Sequence, residues 1–413
     1  MSQDLVRLRG ASIVLPGRER EFRLLLPAAF TYSVSLGMIT VLVPLFGNFL
    51  GAREAVVGIL VAIPGLLQVV MRTPSAVLSA AFGKRTMFVV SFLCAVFAGL
   101  VFAVVPHYSW FVLPQLLFGA ASASFWPSQW AYASELCYED RRSAALGYTS
   151  AIVGLGSLVG PYLGGYLSDI MGPRRAFLVY AVVGAVGLGI SLALPAEGRR
   201  PAKRPSVAEV FGGALSAGSR VMLNRQVFLA VACMFLAAVT WGLNNAFYAL
   251  HVRSIGYTAT VGGTLLAVHG ATSALTRIGF GSFARRRSLH RYLFGGTFLN
   301  ALGMFAMPFF KATYALGAVT FVSGMGFGMM YPAAVTLIAE HTEGDDRVLG
   351  MGVFGTSMSL GLLASPLALG LVAQLAGIGH AFQVGNLAVM LGVTVLFVIH
   401  RRRAAEASRL HLL

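Results

Sequence analysis

Residues 55–80 read AVVGILVAIPGLLQVVMRTPSAVLSA, with one charge among them, Arg72. At about 1.5 Å of rise per residue this run is long enough, as an α-helix, to cross the ~30 Å hydrocarbon core of a bilayer. A second run follows at once, TMFVVSFLCAVFAGLVFAVV from Thr86. Such runs recur along the whole chain. In lipid only helices and closed barrels satisfy their own backbone N–H and C=O groups, and runs of this length and continuity are helical. The chain therefore reads as an all-α polytopic membrane protein.

Composition agrees. Of the 413 residues, 57% are hydrophobic and 11% charged, with mean hydropathy +0.77. A soluble surface needs far more charge than that. The net charge of +16 could suggest a nucleic-acid partner. The basic residues instead lie in short clusters between apolar runs, as the positive-inside rule requires, and no nucleic acid is expected. Cys94, Cys137 and Cys233 are scattered, without metal-ligand spacing or a disulfide pattern. No metal and no cofactor is implied. The basic N-terminus has no long apolar core with a cleavage site behind it, so no signal peptide is expected.

Twelve spans are predicted, at 24–50, 56–80, 86–105, 109–134, 145–169, 176–195, 227–251, 260–283, 291–310, 314–338, 349–375 and 380–399. They divide the chain into a tail (1–23), a six-helix bundle (24–195), a basic linker (196–226), a second six-helix bundle (227–399) and a basic tail (400–413). One side carries Arg7, Arg9, Arg18, Arg20, Arg23, Lys84, Arg85, Arg141, Arg142, the linker cluster, Arg285 to Arg287, Arg291, Arg347, Arg401 to Arg403 and Arg409. The other holds Arg53, Arg174, Arg175, Arg253 and Lys311. This asymmetry puts both termini and the linker in the cytoplasm of a bacterial-type inner (plasma) membrane.

Two arginines fall inside apolar runs, Arg72 in LLQVVMRTPSAV and Arg277 in AVHGATSALTRIGF, at an offset of 277 − 72 = 205. The same offset relates Gly37 to Gly242, Gly65 to Gly270, Pro127 to Pro332, Glu135 to Glu340, Arg142 to Arg347, Gly156 to Gly361, Pro161 to Pro366 and Gly165 to Gly370. Rare residues keeping one ungapped offset mark a duplicated unit, and repeats of this kind settle an architecture early.

With these features the chain resembles the major facilitator superfamily, whose parallel six-helix repeats are a known transporter plan. The stretch after the second span, Ala76-Val77-Leu78-Ser79-Ala80-Ala81-Phe82-Gly83-Lys84-Arg85, is similar to that family's Gly-x-Leu-x-Asp-Arg-x-Gly-Arg-Arg motif. Leu78, Gly83 and the basic pair Lys84 and Arg85 match; Ala76 and Ala80 replace the first glycine and the acid. The fifth span, Gly156-Ser157-Leu158-Val159-Gly160-Pro161-Tyr162-Leu163-Gly164-Gly165, resembles the motif of the drug:proton antiporters. Small residues there let helices approach closely, and the proline permits a bend. Gln115, four residues before Gly119, stands where those antiporters usually carry arginine. The resemblance implies a monomeric secondary transporter working by alternating access. It would export a small amphiphilic organic molecule, with protons as the coupling ion and the lipid bilayer as its surroundings. Gly83, Lys84, Arg85, Glu135, Arg142, Gly156, Gly160, Pro161, Gly164, Gly165, Glu340 and Arg347 are then expected to gate or pack the moving halves.

An ionisable group at membrane depth is a candidate for function. Gln68 lies one turn before Arg72 on the same helix face, and Ser273 one turn before Arg277. Two readings stand for the arginines: a two-fold anion clamp, making the chain an organic or inorganic anion transporter, or a cytoplasmic gate. No carboxylate falls deep in a span. His269, on the face of Ser273 and Arg277, is the mid-span group that ionises near neutrality, a proton carrier or a hydrogen-bonded structural histidine. In the family, helices one, four, seven and ten line the cavity. On these lie Tyr32, Ser122, Trp126, Gln129, Trp130, Trp241, Asn244, Asn245, Tyr248 and Tyr331, a mix of rings and amides suited to an amphiphile. No nucleophile–base pair or metal set lies at depth, which argues against an enzyme.

Overall fold

The computed structural model describes residues 13–195, 219–283 and 289–410, and it is helical nearly throughout. The helices are α1 (Glu19–Phe49), α2 (Glu54–Phe82), α3 (Lys84–Val104), α4 (Val112–Glu135), α5 (Arg142–Met171) and α6 (Pro173–Leu192). After the linker come α7 (Arg225–Ser254), α8 (Ala259–Phe283), α9 (Leu289–Ala306), α10 (Thr313–His341), α11 (Gly344–Ala376) and α12 (Ile378–Leu410). α7 contains one π-helical segment, Asn244–Tyr248. α12 runs on through the stretch read as a basic tail, whose Arg, Ala and Glu residues are strong helix formers. The linker cluster at 199–204 and Arg285 to Arg287 lie outside the described residues, as do the side chains of Arg72 and Arg142.

The 205-residue offset holds helix by helix. Adding it to the bounds of α1 gives 19 + 205 = 224 and 49 + 205 = 254, against Arg225–Ser254 for α7. The turns repeat too. Gly51 and Gly256 have φ +87° and +97°, and Gly172 and Gly377 have φ +82° and +97°. Each follows or precedes a tight helix junction in the left-handed region, where a side chain is strained.

Among the described residues, ten helices are long and apolar enough to cross a membrane. The other two long helices, α4 and α8, are more polar, and they carry Ser122, Gln129, His269, Ser273 and Arg277. These polar residues lower the apolarity of both helices.

Packing within each set of six uses small residues. Gly156, Gly160 and Gly164 form one stripe of α5 laid on α1; a Cβ on Gly160 would overlap the carbonyl oxygen of Val34, and one on Gly164 would meet that of Met38 at 2.9 Å. The equivalent Gly361 of α11 lies on α7 in the same way, 2.8 Å from the carbonyl oxygen of Phe235 by the same measure. The opposite edge of α5 meets α8, and α2 meets α11. A Cβ on Gly58 would overlap the Pro366 carbonyl oxygen, and one on Gly263 would overlap that of Pro161, which is the same contact shifted by 205 (58 + 205 = 263; 161 + 205 = 366).

These contacts between the halves run from the starts of α2 and α8, the ends that the charge asymmetry predicts to face outward, to the middle of the helices. One buried apolar cluster spans both halves, with Val41, Leu45 and Val57 against Leu243, Phe247, Tyr248 and Leu265, and it sits at that same outer end. Asp169 near the end of α5 adds a polar contact there. Its carboxylate accepts from the Ala259 N–H (3.1 Å), the Thr260 N–H (2.7 Å) and the Thr260 hydroxyl (2.5 Å), capping α8. The offset equates Asp169 with Gln374, an uncharged residue, so this carboxylate has no symmetric counterpart. The remaining clusters are each confined to one half. The molecule is therefore closed on the outer side.

Candidate functional site

The C-terminal half builds the more sharply defined site. His269, Ser273 and Arg277 follow one another at four-residue spacing on α8, so they share a face. That face meets α10. The Arg277 guanidinium lies over the rings of Tyr331 (4.4 Å) and Phe327 (5.2 Å). Phe327 in turn meets Trp241 of α7 edge-on at 5.5 Å and the His269 ring at 6.2 Å. Tyr331 packs edge-on against Phe354 of α11. Three polar atoms on this face are buried without a hydrogen-bond partner: His269 Nε2, Ser273 Oγ and Arg277 Nε.

The N-terminal half presents rings rather than charge among its described side chains. Tyr32 of α1 stacks on Phe125 of α4 at 3.8 Å and 8° and meets Trp126 edge-on at 5.7 Å. Trp126 and Trp130 lie 6.4 Å apart, half-buried. The repeat offset equates Trp126 with Tyr331. Ser122 and Gln129 are buried beside these rings, and both amide atoms of Gln129 lack a partner. Gln68 is buried on α2.

Other candidates sit elsewhere. Tyr248 is fully buried in the outer cluster, its hydroxyl 2.5 Å from that of Thr320. Asn244 and Asn245 belong to the π-helical segment, whose widened turn is commonly found at functional positions. Asn244 is buried with Oδ1 unpartnered, and Asn245 is half-buried. Gln115 donates from Nε2 to the Leu60 carbonyl (2.8 Å), which makes it a tie between α4 and α2.

At the ends predicted to be cytoplasmic, Gly83 turns α2 into α3 at φ +86°. Lys84, largely buried, pairs with Glu135 at the end of α4 (2.5 Å). Arg85 donates to the last carbonyls of α6 through Leu192 (2.8 Å). Glu340 lines a cavity of about 350 Å³ with Arg220, Asn224 and His341. Arg220 pairs with Asp346 (2.6 Å), and Arg347 donates to the Thr342 carbonyl (3.1 Å).

Sequence reading missed Phe327 and Phe125. Phe327 lies four residues before Tyr331, on the same helical face, and that spacing was the available signal. Phe125 carried no such signal, because it adjoins Trp126 on a helix rich in apolar residues.

Two sets of membrane-length helices related by one offset, closed at one end over a polar and aromatic centre, define a polytopic membrane transporter rather than an enzyme. The chain belongs to the Major Facilitator Superfamily, which its sequence matches over residues 25–315 and again over residues 230–411. It is 22% identical over 321 residues to Multidrug resistance protein 1 of Bacillus subtilis, covering 77% of this chain and 80% of that one. It is 24% identical over 323 residues to the multi-drug resistance efflux pump PmrA of Streptococcus pneumoniae, covering 76% and 79%. In fold it is similar to the nucleoside transporter NupG, with TM-score 0.76 at 12% identity, covering 91% of this chain and 99% of NupG. A POT family transporter solved in complex with 5-aminolevulinic acid is similar at TM-score 0.74 and 13% identity, over 97% and 99%.

Proposed function

We infer that the chain is a secondary transporter that exports small amphiphilic organic molecules by alternating access, driven by protons, as a monomer in a bacterial-type inner membrane. The observation that carries this reading is the composition of the centre. Half-buried rings occur in both halves, Trp126 and Trp130 in one and Trp241 and Tyr331 in the other, with a small set of polar side chains, Ser122, Gln129, His269, Ser273 and Arg277, beside them. Such walls hold flat apolar bodies and select weakly between them. The relatives named as multidrug resistance proteins and efflux pumps support the direction of transport. His269 is the proton carrier in this reading, since no carboxylate among the described residues lies at depth.

The test is transport by the full chain in proteoliposomes with an imposed pH gradient and a fluorescent amphiphilic dye. Dye movement that requires the gradient, weakens on Trp126→Ala and loses its gradient dependence on His269→Gln supports the reading. Failure of every amphiphile to move under either gradient direction overturns it.

A further inference from the structure

We propose that Ser273 and Arg277 of α8, with the rings of Phe327 and Tyr331 of α10, form a binding site for the carboxylate of a small aromatic acid. This rests on the exporter reading above and gives its substrate a charge.

A guanidinium set into a membrane protein normally meets a carboxylate or backbone carbonyls. Here its partners are two ring faces, and Nε is buried without an acceptor. Ring faces attract the cation but take up none of the N–H directions, which radiate in the guanidinium plane. The acids nearest along the helices are at their ends: Glu340 is nine residues beyond Tyr331, about 14 Å of helix. One turn from Arg277, the Ser273 hydroxyl is also buried and unpartnered, with Ser273 only 5% exposed. Two unmet donor groups on one face, beside rings and, among the described residues, several turns along their helices from the acids, describe a site whose missing member is an acceptor.

The chemistry of the acceptor follows from the donors. A planar carboxylate accepts two parallel N–H bonds from a guanidinium edge and leaves a lone pair for a hydroxyl. A dianionic phosphate would find a single described cation on this face. The surrounding Phe327, Tyr331 and Trp241 rings suit an aromatic body attached to that carboxylate.

The experiment uses the purified full chain in phosphatidylcholine nanodiscs, with 1-naphthoate and its neutral isostere 1-naphthamide as probes. Saturable naphthoate binding about tenfold or more tighter than naphthamide binding is expected. Arg277→Gln should weaken naphthoate about tenfold or more and leave naphthamide within about twofold; Ser273→Ala should weaken naphthoate by a smaller factor. Equal binding of acid and amide by the unsubstituted protein overturns the proposal without needing any variant to fold. Replacing half the lipid with phosphatidylglycerol should leave naphthoate affinity unchanged. Its loss would assign the site to a lipid headgroup and overturn the proposal as stated. Gradient-driven dye export without naphthoate binding defeats this inference alone. Naphthoate binding with no amphiphile transported defeats the exporter reading instead.

Discussion

Removing the Asp169 carboxylate should open the outer side of the protein. Asp169 receives two backbone N–H bonds and one hydroxyl bond at the start of α8, across the boundary between the halves. Bonds to a charged acceptor contribute about 1.5–3 kcal/mol each when shielded. A carboxylate at a helix N-terminus adds about 0.3–1 kcal/mol. Asp169 is exposed, so water replaces most of what is lost. A net cost of about 1 kcal/mol for Asp169→Ala, and about half that for Asp169→Asn, is the appropriate scale for an exposed group. At about 1.4 kcal/mol per factor of ten, the outer-open population rises about fivefold for Ala and about twofold for Asn.

The reporter is Leu45→Cys, in a chain with its three native cysteines replaced. Leu45 is fully buried in the outer cluster that spans both halves, so an impermeant maleimide reaches it only when that cluster opens. If opening is fast relative to labelling, the labelling rate follows the open population. Rates that stay within twofold of the parent in both variants, with full labelling after denaturation, would refute the latch. Equal acceleration by Ala and Asn would show instead that charge alone acts there.

Further outcomes are expected. Gly58→Ala and Gly263→Ala each force a Cβ onto a proline carbonyl of the other half, so both should lower the melting temperature by similar amounts, about 1–3 kcal/mol in stability. A marked inequality between them would contradict the two-fold packing. Glu135→Gln removes the carboxylate that pairs with a largely buried Lys84 and should destabilise by about 1 kcal/mol, with Lys84→Met restoring much of it in a double-mutant cycle. Burial pushes the Cys137 thiol up to about 11, so at pH 7 it is protonated and should react with N-ethylmaleimide far more slowly than a free thiol. Because the folded thiol ionises less readily than the unfolded one, its contribution to stability is full below pH ~8.5 and declines as pH rises towards about 11. The gap between thermal melts of a Cys137→Ala variant and the parent should be constant below pH ~8.5 and change only on that alkaline limb.

Much was legible in advance. The runs from Ala55 and Thr86 become α2 and α3, and the offset found at Arg72 and Arg277 holds for the helices and their glycine turns. Candidate site residues were harder to place. Trp126, Trp241, Arg277 and Tyr331 lie on helix faces that side-chain spacing suggests. Tyr248 looks the same in sequence, yet its hydroxyl is bonded to Thr320 in the outer cluster. Nothing local separates Tyr248 from Tyr331, because both are tyrosines on apolar helices.

Length, apolarity and repetition are set by the solvent. In a bilayer each segment must close its own hydrogen bonds, so a run of about twenty apolar residues has one structure available to it. The sequence alone therefore determined the helices and the duplication. Only the tertiary structure decided which faces meet, since helices apolar all round carry no periodic signal of their rotation. The seating of Arg277 over Tyr331 and Phe327, and of Asp169 on α8, came from glycines that let helices approach at particular angles.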